Sequence, residues 1–286
     1  MTTHFAIIII GDEILSGKRA DKHLPKVIEL LGARGLQLAC ADYVGDDPAR
    51  ITATLKRAFH AARESGDVVF SCGGIGATPD DHTRQCAADS LGVGLELHPQ
   101  AKALITERMQ DTAKEQGVVF EPNRADNIHR LDMGLFPAGA EIINNPYNKI
   151  PGFTCGAGPG AVHFVPGFPV MAWPMISSIL DSQYAHLHQI AAYIEKSVIV
   201  SGSMEATLTP LMLAIEASHA GVKVFSLPSV DHPVYGRHIE LGVKGKPIDI
   251  EAAYPALLTG LKKFNVTLGP ELVREMHQNI AFSKTT

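Results

Sequence analysis

Residues 5–10 read Phe-Ala-Ile-Ile-Ile-Ile, an uninterrupted run of apolar and mostly β-branched side chains near the start of the chain. Such a run is typical of a strand that is buried on both faces, as in a parallel sheet. Two further short apolar runs follow at residues 37–44 and 67–71, and helical patterns separate the three runs. Strand, helix, strand, helix and strand in this order predict an open α/β sheet with right-handed crossovers.

Capping residues mark where the intervening helices begin. Asp21 precedes apolar residues that share one helical face at 24–31, and Asp47-Pro48 precedes a second such face at 51–62. An aspartate accepts hydrogen bonds from the first free N–H groups of a helix, and proline fits the first turn. In open α/β sheets ligands bind beyond the carboxyl ends of the strands, so the loops that follow the strands are where a site is expected.

The composition excludes several classes of protein. The chain has 286 residues, of which 45% are hydrophobic and 19% are charged, and its net charge is −5. It can therefore bury a large core, and it lacks the basic surplus that general nucleic-acid binding requires. No apolar run reaches the length of a membrane span, and the N-terminal run is too short for a signal peptide. The four cysteines are widely spaced and predict free thiols, so we expect a cytoplasmic protein with no nucleic-acid and no membrane partner.

A change of composition divides the chain. Glycine and proline are frequent at 134–174, where hairpins and loops still attached to the first domain are expected. From Ser197 onwards strands and helices alternate again. We therefore predict a first domain at 1–180 and a smaller α/β domain at 190–286. The predicted elements beyond the third strand are strands at 141–144, 161–165, 197–201, 222–227 and 238–243, helices at 171–188, 207–218 and 250–264, and a plain hairpin connection at 231–238.

The strongest local signal follows the third strand, where residues 73–83 read Gly-Gly-Ile-Gly-Ala-Thr-Pro-Asp-Asp-His-Thr. Glycines let the backbone approach a ligand closely and turn successive N–H groups towards an anion. The hydroxyls of Thr78 and Thr83 add donors, and Asp80 or Asp81 can cap the helix that follows. These carboxylates would repel a bare phosphate, so they favour a divalent cation that bridges to phosphate, or a carboxylate contact to a ring N–H. A tight turn from strand to helix with a capping aspartate is the alternative.

A second carboxylate pair, Asp12-Glu13, follows Gly11 at the end of the first strand. On its own this pair would be a solvated loop. Both glycine-bearing loops follow strands of one parallel sheet, so four carboxylates and several backbone donors are expected to face one crevice. That combination predicts a site for Mg²⁺ and phosphate.

Three segments resemble the molybdopterin-binding (MoaB/MogA-like) fold: residues 10–17 (Ile-Gly-Asp-Glu-Ile-Leu-Ser-Gly), residues 73–83, and residues 165–169 (Val-Pro-Gly-Phe-Pro). They are most similar to the N-terminal part of the competence/damage-inducible CinA proteins, and the resemblance covers residues 4–175. Residues 190–270 resemble the small domain that follows in CinA. The CinA deamidase domain would begin beyond this chain, so deamidation of nicotinamide mononucleotide is not expected.

The resemblance implies a three-layer α/β/α fold with a mainly parallel sheet, whose crevice binds molybdopterin or its adenylylated form. For CinA-type members it also implies hydrolysis of ADP-ribose or FAD-like diphosphates with a divalent metal ion, Mg²⁺, Mn²⁺ or Co²⁺. It implies a homo-oligomer as well, since MoaB-like members form trimers and CinA forms dimers. Catalytic roles are expected at Asp12, Glu13, Asp80 and Asp81, with metal ligation at Asp12 and Asp81. Ligand binding is expected at Gly11, Ser71, Gly73, Gly74, Gly76, Thr78, Thr83, Asn145, Gly152, Pro166 and Gly167.

Two departures from the family pattern bear on activity. The segment after Asn145-Pro146 lacks the usual glycine and alanine, and Val170-Met171-Ala172 stands where Ser-Glu-Met is common, so one glutamate is missing. Three functions therefore stay open. The first is binding of molybdopterin or a nucleotide diphosphate, linked to molybdenum cofactor metabolism. The second is metal-dependent hydrolysis of a nucleotide diphosphate such as ADP-ribose. The third is a binding module that has lost catalysis.

Overall fold

The computed structural model describes residues 3–188 and 194–275, which divide into two units. The first unit contains Leu36–Leu187 together with the described residues up to Leu31. The second contains the described residues from His188 onwards together with Gly32–Gly35. No helix of the described part of the chain is both long and apolar enough to cross a membrane.

Eight strands belong to the first unit. They are β1 (Phe5–Ile10), β2 (Leu38–Val44), β3 (Val68–Cys72), β4 (Leu95–Leu97), β5 (Leu135–Pro137), β6 (Glu141–Ile143), β7 (Gly152–Ala157) and β8 (Gly160–Val165). Six of them form one sheet in the order β2-β1-β3-β8-β7-β6, and β4 pairs with β5 in a separate ribbon. The first four strands of the large sheet are parallel, whereas β7 and β6 are antiparallel to their neighbours.

Seven α-helices lie in the described part of the same unit. They are α1 (Asp12–Leu15), α2 (His23–Gly32), α3 (Pro48–Ser65), α4 (Thr83–Leu91), α5 (Pro99–Glu115), α6 (Ala125–Leu131) and α7 (Pro169–Ser182). The predicted caps are confirmed, since Asp21 accepts hydrogen bonds from the first N–H groups of α2 and Asp47 accepts one from Arg50 in α3. The helix predicted at 171–188 instead starts at Pro169, which fits the first helical turn, and ends at Ser182.

The large sheet is covered on both faces. Along β1, Ile8 and Ile10 point into a core shared with α3, α4 and α5, while Phe5, Ile7 and Ile9 point into a core shared with α2 and α7. Each fully buried isoleucine contributes about 1.5–3 kcal/mol through the apolar surface that it removes from water. The predicted three-layer α/β/α fold with a mainly parallel sheet is confirmed.

The second unit is a four-stranded antiparallel sheet with two helices. Its elements are β9 (Ile194–Ser201), α8 (Glu205–Ser218), β10 (Lys223–His232), β11 (Gly236–Gly245), α9 (Pro247–Leu261) and β12 (Thr267–Glu275). The strand order is β10-β11-β9-β12, and β10 and β11 form the predicted hairpin. β12 was not predicted, because Gly269-Pro270 is typical of a turn. In the structure the pairing register shifts between Leu268 and Glu271, so the strand continues past this pair.

Candidate functional site at the carboxyl edge of the sheet

Two backbone hydrogen bonds extend the hydrogen-bonding pattern of the sheet beyond the ends of its parallel strands. The amide of Gly11 donates to the carbonyl of Val44 at 3.0 Å, which joins the loop after β1 to the end of β2. The amide of Gly73 donates to the carbonyl of Val165 at 3.1 Å, which joins the loop after β3 to the end of β8. The predicted loops therefore meet at one edge of the sheet, held by the same kind of bond that holds the strands.

The loop after β3 is packed so tightly that two of its positions require glycine. Gly73 has φ 110°, and a Cβ there would lie 2.3 Å from the carbonyl oxygen of Ile10. Gly74 has φ 68°, and a Cβ there would lie 2.1 Å from Thr83 Oγ1. Thr83 itself is buried and holds the loop, since its Oγ1 donates to the Gly73 carbonyl at 3.1 Å and its amide donates to the Gly74 carbonyl at 3.0 Å.

Asp81 is turned back onto its own loop. Its Oδ2 accepts hydrogen bonds from the amide of Thr78 at 2.8 Å and from Thr78 Oγ1 at 2.5 Å. A Cβ at Gly76 would lie 2.6 Å from the same oxygen. The prediction that Asp80 or Asp81 caps the following helix is wrong, because the residue before α4 is His82 and it makes no side-chain cap. The carboxylate of Asp81 stabilises the loop instead.

A buried arginine lies beneath the same loop. The guanidinium of Arg84, on the first turn of α4, donates to the carbonyl of Gly76 at 2.6 Å and also to the carbonyl of Ile75. Burial lowers the pKa of Arg84, and the charges of Asp81 and Asp132 act in the opposite direction. A guanidinium remains charged under such a shift, so positive charge lies directly behind a loop whose glycines can present N–H groups to an anion.

Four carboxylates face a pocket beside this loop. The pocket has a volume of about 640 Å³ and is lined by Asp12, Glu13, Leu15, Ser16, Lys18, Asp46 and Asp80. Three of these acids were predicted, but Asp81 is absent from the lining and Asp46 was missed. Asp46 lies two residues beyond the end of β2. Asp46 could have been predicted in the same way as Asp12, because each follows the end of a parallel strand. It was missed because the adjacent Asp47 was interpreted as the helix cap and Asp46 was not considered.

Within this pocket the pKa of Asp46 is raised, and the other carboxylates contribute to the shift. Partial burial raises the pKa of Asp46, and a hydrogen bond from the Asp12 backbone partly offsets this. The neighbouring charges of Asp12, Glu13 and Asp80 raise it further. The pKa of Asp80 shifts the other way, lowered by the Thr78 hydroxyl, by its own backbone and by His82. Asp46 therefore lies among carboxylates whose charges disfavour its own ionisation, and a bound cation would relieve that repulsion.

The side chains of this pocket would supply only part of the ligand set of a metal ion. Within residues 3–188 and 194–275, no group of three or more histidine, cysteine, aspartate or glutamate side chains is placed to hold a metal ion by itself. Mg²⁺ commonly takes one or two carboxylates and completes its shell with water and substrate phosphate. The donor set here, carboxylate oxygens beside a loop rich in N–H groups, fits that pattern.

Two of the predicted binding residues, Asn145 and Gly152, stabilise the backbone near β7. Asn145 is buried, and its Nδ2 donates to the carbonyl of Ile150 at 2.9 Å and to Asn148 Oδ1 at 2.8 Å. Its Oδ1 accepts from the amide of Tyr147 at 3.0 Å, so the whole side chain is used within the loop. A Cβ at Gly152 would lie 2.3 Å from the carbonyl oxygen of Phe164, so this glycine permits the close pairing of β7 with β8.

The remaining predicted residues lie around the end of β8. Pro166 and Gly167 begin the loop after that strand, and a Cβ on Gly167 would lie 3.4 Å from Gly73 Cα. This loop therefore touches the glycine loop. Ser71 is fully buried within β3, and its Oγ has no hydrogen-bond partner in the described part of the chain.

Known proteins are similar to this chain in sequence and in fold. The family model described as a probable molybdopterin binding domain matches residues 6–234. Protein TV0584 of Thermoplasma volcanium is 28% identical over 247 residues, which cover 86% of this chain and 89% of that protein. A CinA-like protein of Anaeromyxobacter dehalogenans is 30% identical over 220 residues, which cover 76% of this chain but only 50% of that protein, so the chain spans about half its length.

A solved structure supports the same relationship. The crystal structure of the protein CinA with unknown function from Thermoplasma acidophilum is 26% identical, with a TM-score of 0.51. The match covers 62% of this chain and 96% of that one. Since the family model spans most of the chain, from β1 through both glycine-bearing loops, the protein belongs to the family of the probable molybdopterin binding domain, and it is related to CinA.

Proposed function

We propose that the carboxyl edge of the large sheet binds a small molecule that carries phosphate, either a molybdopterin-type pterin or a nucleotide diphosphate. In this proposal the loop at 73–83 holds the phosphate, and a divalent cation, Mg²⁺, Mn²⁺ or Co²⁺, lies between the phosphate and the pocket carboxylates. The observation that carries the proposal is that one loop has a buried guanidinium bonded to its carbonyls and a pocket of carboxylates beside it. The buried Arg84 guanidinium backs the loop, and ionised Asp80 at the end of that loop faces Asp12, Glu13 and Asp46.

The loop at 73–83 and the carboxylate pocket have opposite effects on a phosphate. Backbone N–H groups and the Arg84 guanidinium attract an anion, whereas the pocket carboxylates repel one. A cation that contacts both phosphate and carboxylate removes the repulsion and lets the loop and the pocket both act on one ligand. Asp12 and Asp80 hold such a cation through exposed carboxylate oxygens, while Asp81 and Thr83 keep the loop in shape through bonds to Thr78 and Gly73.

Hydrolysis of a nucleotide diphosphate such as ADP-ribose is the second candidate function. The raised pKa of Asp46 favours it, because a carboxylate with a higher pKa is a stronger base towards an attacking water. The cation would stabilise the charge that develops on the phosphate oxygens. Against hydrolysis stands Val170-Met171-Ala172, which lacks the glutamate common in the family. Binding is therefore the first proposal, and the same assay separates hydrolysis from a module without catalysis.

Calorimetric titration of the purified chain with ADP-ribose and with a pterin monophosphate, each with and without Mn²⁺, tests the proposal. We expect at least one ligand to bind, and to bind more tightly with Mn²⁺. Asp80→Asn should remove the effect of Mn²⁺, whereas Glu64→Gln, an exposed acid at the far end of α3, should not. If neither ligand binds under either condition, the proposal is wrong. Release of AMP from ADP-ribose, measured by chromatography on the same samples, would establish hydrolysis.

A further inference from the structure

Two large aromatic side chains are exposed at the same edge of the sheet. The exposed fractions are 61% for Tyr147 and 57% for Phe168. Phe168 lies in the loop that follows β8, and Tyr147 lies in the loop that precedes β7. Since β8 is parallel to β3 and β7 is antiparallel to β8, both loops lie at the edge that carries the glycine loop. A single exposed aromatic residue is common on protein surfaces, but two on adjoining loops at a candidate site call for a reason.

The backbone that carries Tyr147 is held in place. Besides the bond from the Tyr147 amide to Asn145, Lys149 fixes this loop to α5. Lys149 has φ 64°, a left-handed conformation that is unfavourable for a residue with a side chain. Its Nζ lies 2.6 Å from both Glu107 Oε1 and Asp111 Oδ2, and these two ion pairs tie the loop to α5. The backbone at Tyr147 is therefore held by bonds on both sides.

The backbone at Phe168 is held equally well. Its carbonyl accepts hydrogen bonds from the amides of Met171 and Ala172, so it forms the start of α7. The preceding carbonyl, that of Gly167, accepts from the buried ring of His23 at 3.0 Å. The loop that carries Tyr147 also contacts α7, because Asn148 Nδ2 lies 3.6 Å from Met171 Sδ in the first turn of that helix. Both aromatic residues are thus carried by backbone that is fixed to the fold, one at the start of α7 and one in a loop that contacts α7.

Charged and aromatic residues occupy different parts of this edge of the sheet. Carboxylates follow β2, β1 and β3, and the aromatic residues flank β8 and β7, in the strand order β2-β1-β3-β8-β7. Neighbouring strands lie about 4.8 Å apart, so the start of the glycine loop after β3 is about one strand spacing from the start of the loop that carries Phe168. The bond from the Gly73 amide to the Val165 carbonyl ties the glycine loop to the end of β8 directly. A ligand that spans this edge would have its phosphate end at the glycine loop and its other end towards the two aromatic residues.

We propose that Phe168 and Tyr147 form a stacking subsite for the planar heteroaromatic ring of the ligand, a pterin or a purine. This inference rests on the proposed function, because it assumes that the phosphate end binds at the glycine loop. Aromatic side chains stack on such rings with little dependence on the substituents of the ring, so the subsite selects for a flat bicyclic ring system. The two residues are specificity determinants, and they take no part in any bond-breaking step.

Two ligands test the subsite, one with a heteroaromatic ring and one without. The first is the fluorescent nucleotide 1,N6-etheno-ADP, and the second is inorganic pyrophosphate, both with Mn²⁺. In Phe168→Ala and Tyr147→Ala we expect the affinity for etheno-ADP to fall about tenfold or more, and the fluorescence change that reports stacking to be lost. The affinity for pyrophosphate should stay at the wild-type value. Phe168→Trp should retain etheno-ADP binding, and Ile28→Ala, an exposed apolar residue on α2, serves as the matched control.

The outcomes separate the two proposals. If pyrophosphate and etheno-ADP both bind and neither alanine variant changes the etheno-ADP affinity, the stacking subsite is overturned and the phosphate site stands. If wild-type protein binds neither probe, both proposals fail. If the alanine variants lower the mass of the protein in sedimentation velocity, the rings belong to a contact between copies of the chain, and the subsite is likewise overturned.

Discussion

Asp12 and Asp46 hydrogen-bond each other's backbone across the ends of two neighbouring strands. The Asp12 amide donates to Asp46 Oδ2 at 2.8 Å, and the Asp46 amide donates to Asp12 Oδ1 at 3.2 Å. Gly45 makes room for this exchange, since a Cβ there would lie 2.4 Å from Asp12 Oδ1. Each carboxylate thus fixes the other loop and also brings negative charge to the pocket. Substitutions must therefore separate the role as a hydrogen-bond acceptor from the role as a charge.

Asp46→Asn separates these two roles, because the amide keeps an acceptor oxygen and loses the charge. The folded-state pKa of Asp46 is raised above its unfolded value, so its ionisation costs stability as the pH rises through the raised pKa. The thermal midpoint of the variant relative to wild type should therefore increase from about pH 4 to about pH 8. Thermal unfolding across this range measures the difference. A constant difference, or one that grows towards acid, would contradict the expected sign.

Asp80 and Asp81 are adjacent, yet their substitutions should have opposite signatures. Asp80→Asn should lower the thermal midpoint only slightly and weaken Mn²⁺-dependent binding, because its carboxylate is exposed and lines the pocket. Asp81→Ala should destabilise the protein by about 1–3 kcal/mol, because the amide and hydroxyl of Thr78 lose their acceptor. Urea denaturation paired with ligand titration distinguishes the two. Equal losses of stability in both variants would refute the assignment of Asp81 to the loop.

Gly74→Ala tests the packing of the glycine loop against α4. The new methyl would meet Thr83 Oγ1 and would also stand at a left-handed φ, whereas Gly92→Ala has a similar φ of 71° with nothing within 4 Å. The left-handed strain costs about 1–2 kcal/mol at either position. Gly74→Ala should therefore lower the free energy of unfolding by more than Gly92→Ala does. Thr83→Ala should recover part of that difference when combined with Gly74→Ala, and its failure to do so would argue against the contact.

Arg84→Met removes the charge behind the loop while keeping a long apolar side chain. The carbonyls of Ile75 and Gly76 lose their donor, and each lost bond to a charged group costs about 1.5–3 kcal/mol. Pyrophosphate binding should weaken even without a metal ion, and Arg84→Lys should restore part of it. Calorimetric titration in the absence of Mn²⁺ measures the effect. Unchanged metal-free affinity in a folded Arg84→Met protein would show that this guanidinium has no part in anion binding.

The local sequence was sufficient to predict the first three strands and the glycine loop. Burial on both faces leaves a continuous apolar run in β1, and glycines with positive φ leave a visible cluster after β3. Arg84 was not predictable in the same way. In Thr-Arg-Gln-Cys it reads as an ordinary charge on the first turn of a helix, and only the packing of α4 under the loop buries it.

The orientation of side chains within the loop was equally hidden. Asp80 and Asp81 look equivalent in the sequence, yet the turn directs one carboxylate to solvent and the other to Thr78. The partnership of Asp12 and Asp46 depends on how β1 and β2 pair, since the register places Ile10 beside Val44. A strand that slipped by one residue would turn its side chains to the opposite face and separate these loops.

The amides of Gly11 and Gly73 are bonded to the last carbonyls of β2 and β8, so both loops are extensions of the sheet. Amide protons held in this way exchange with deuterium only when the strands themselves separate. Exchange at Gly11 and Gly73 should therefore be as slow as in β1 and β3, although both residues lie in loops. The backbone at Gly11 and Gly73 would consequently need no ordering on ligand binding, because its entropy was already lost when the sheet folded.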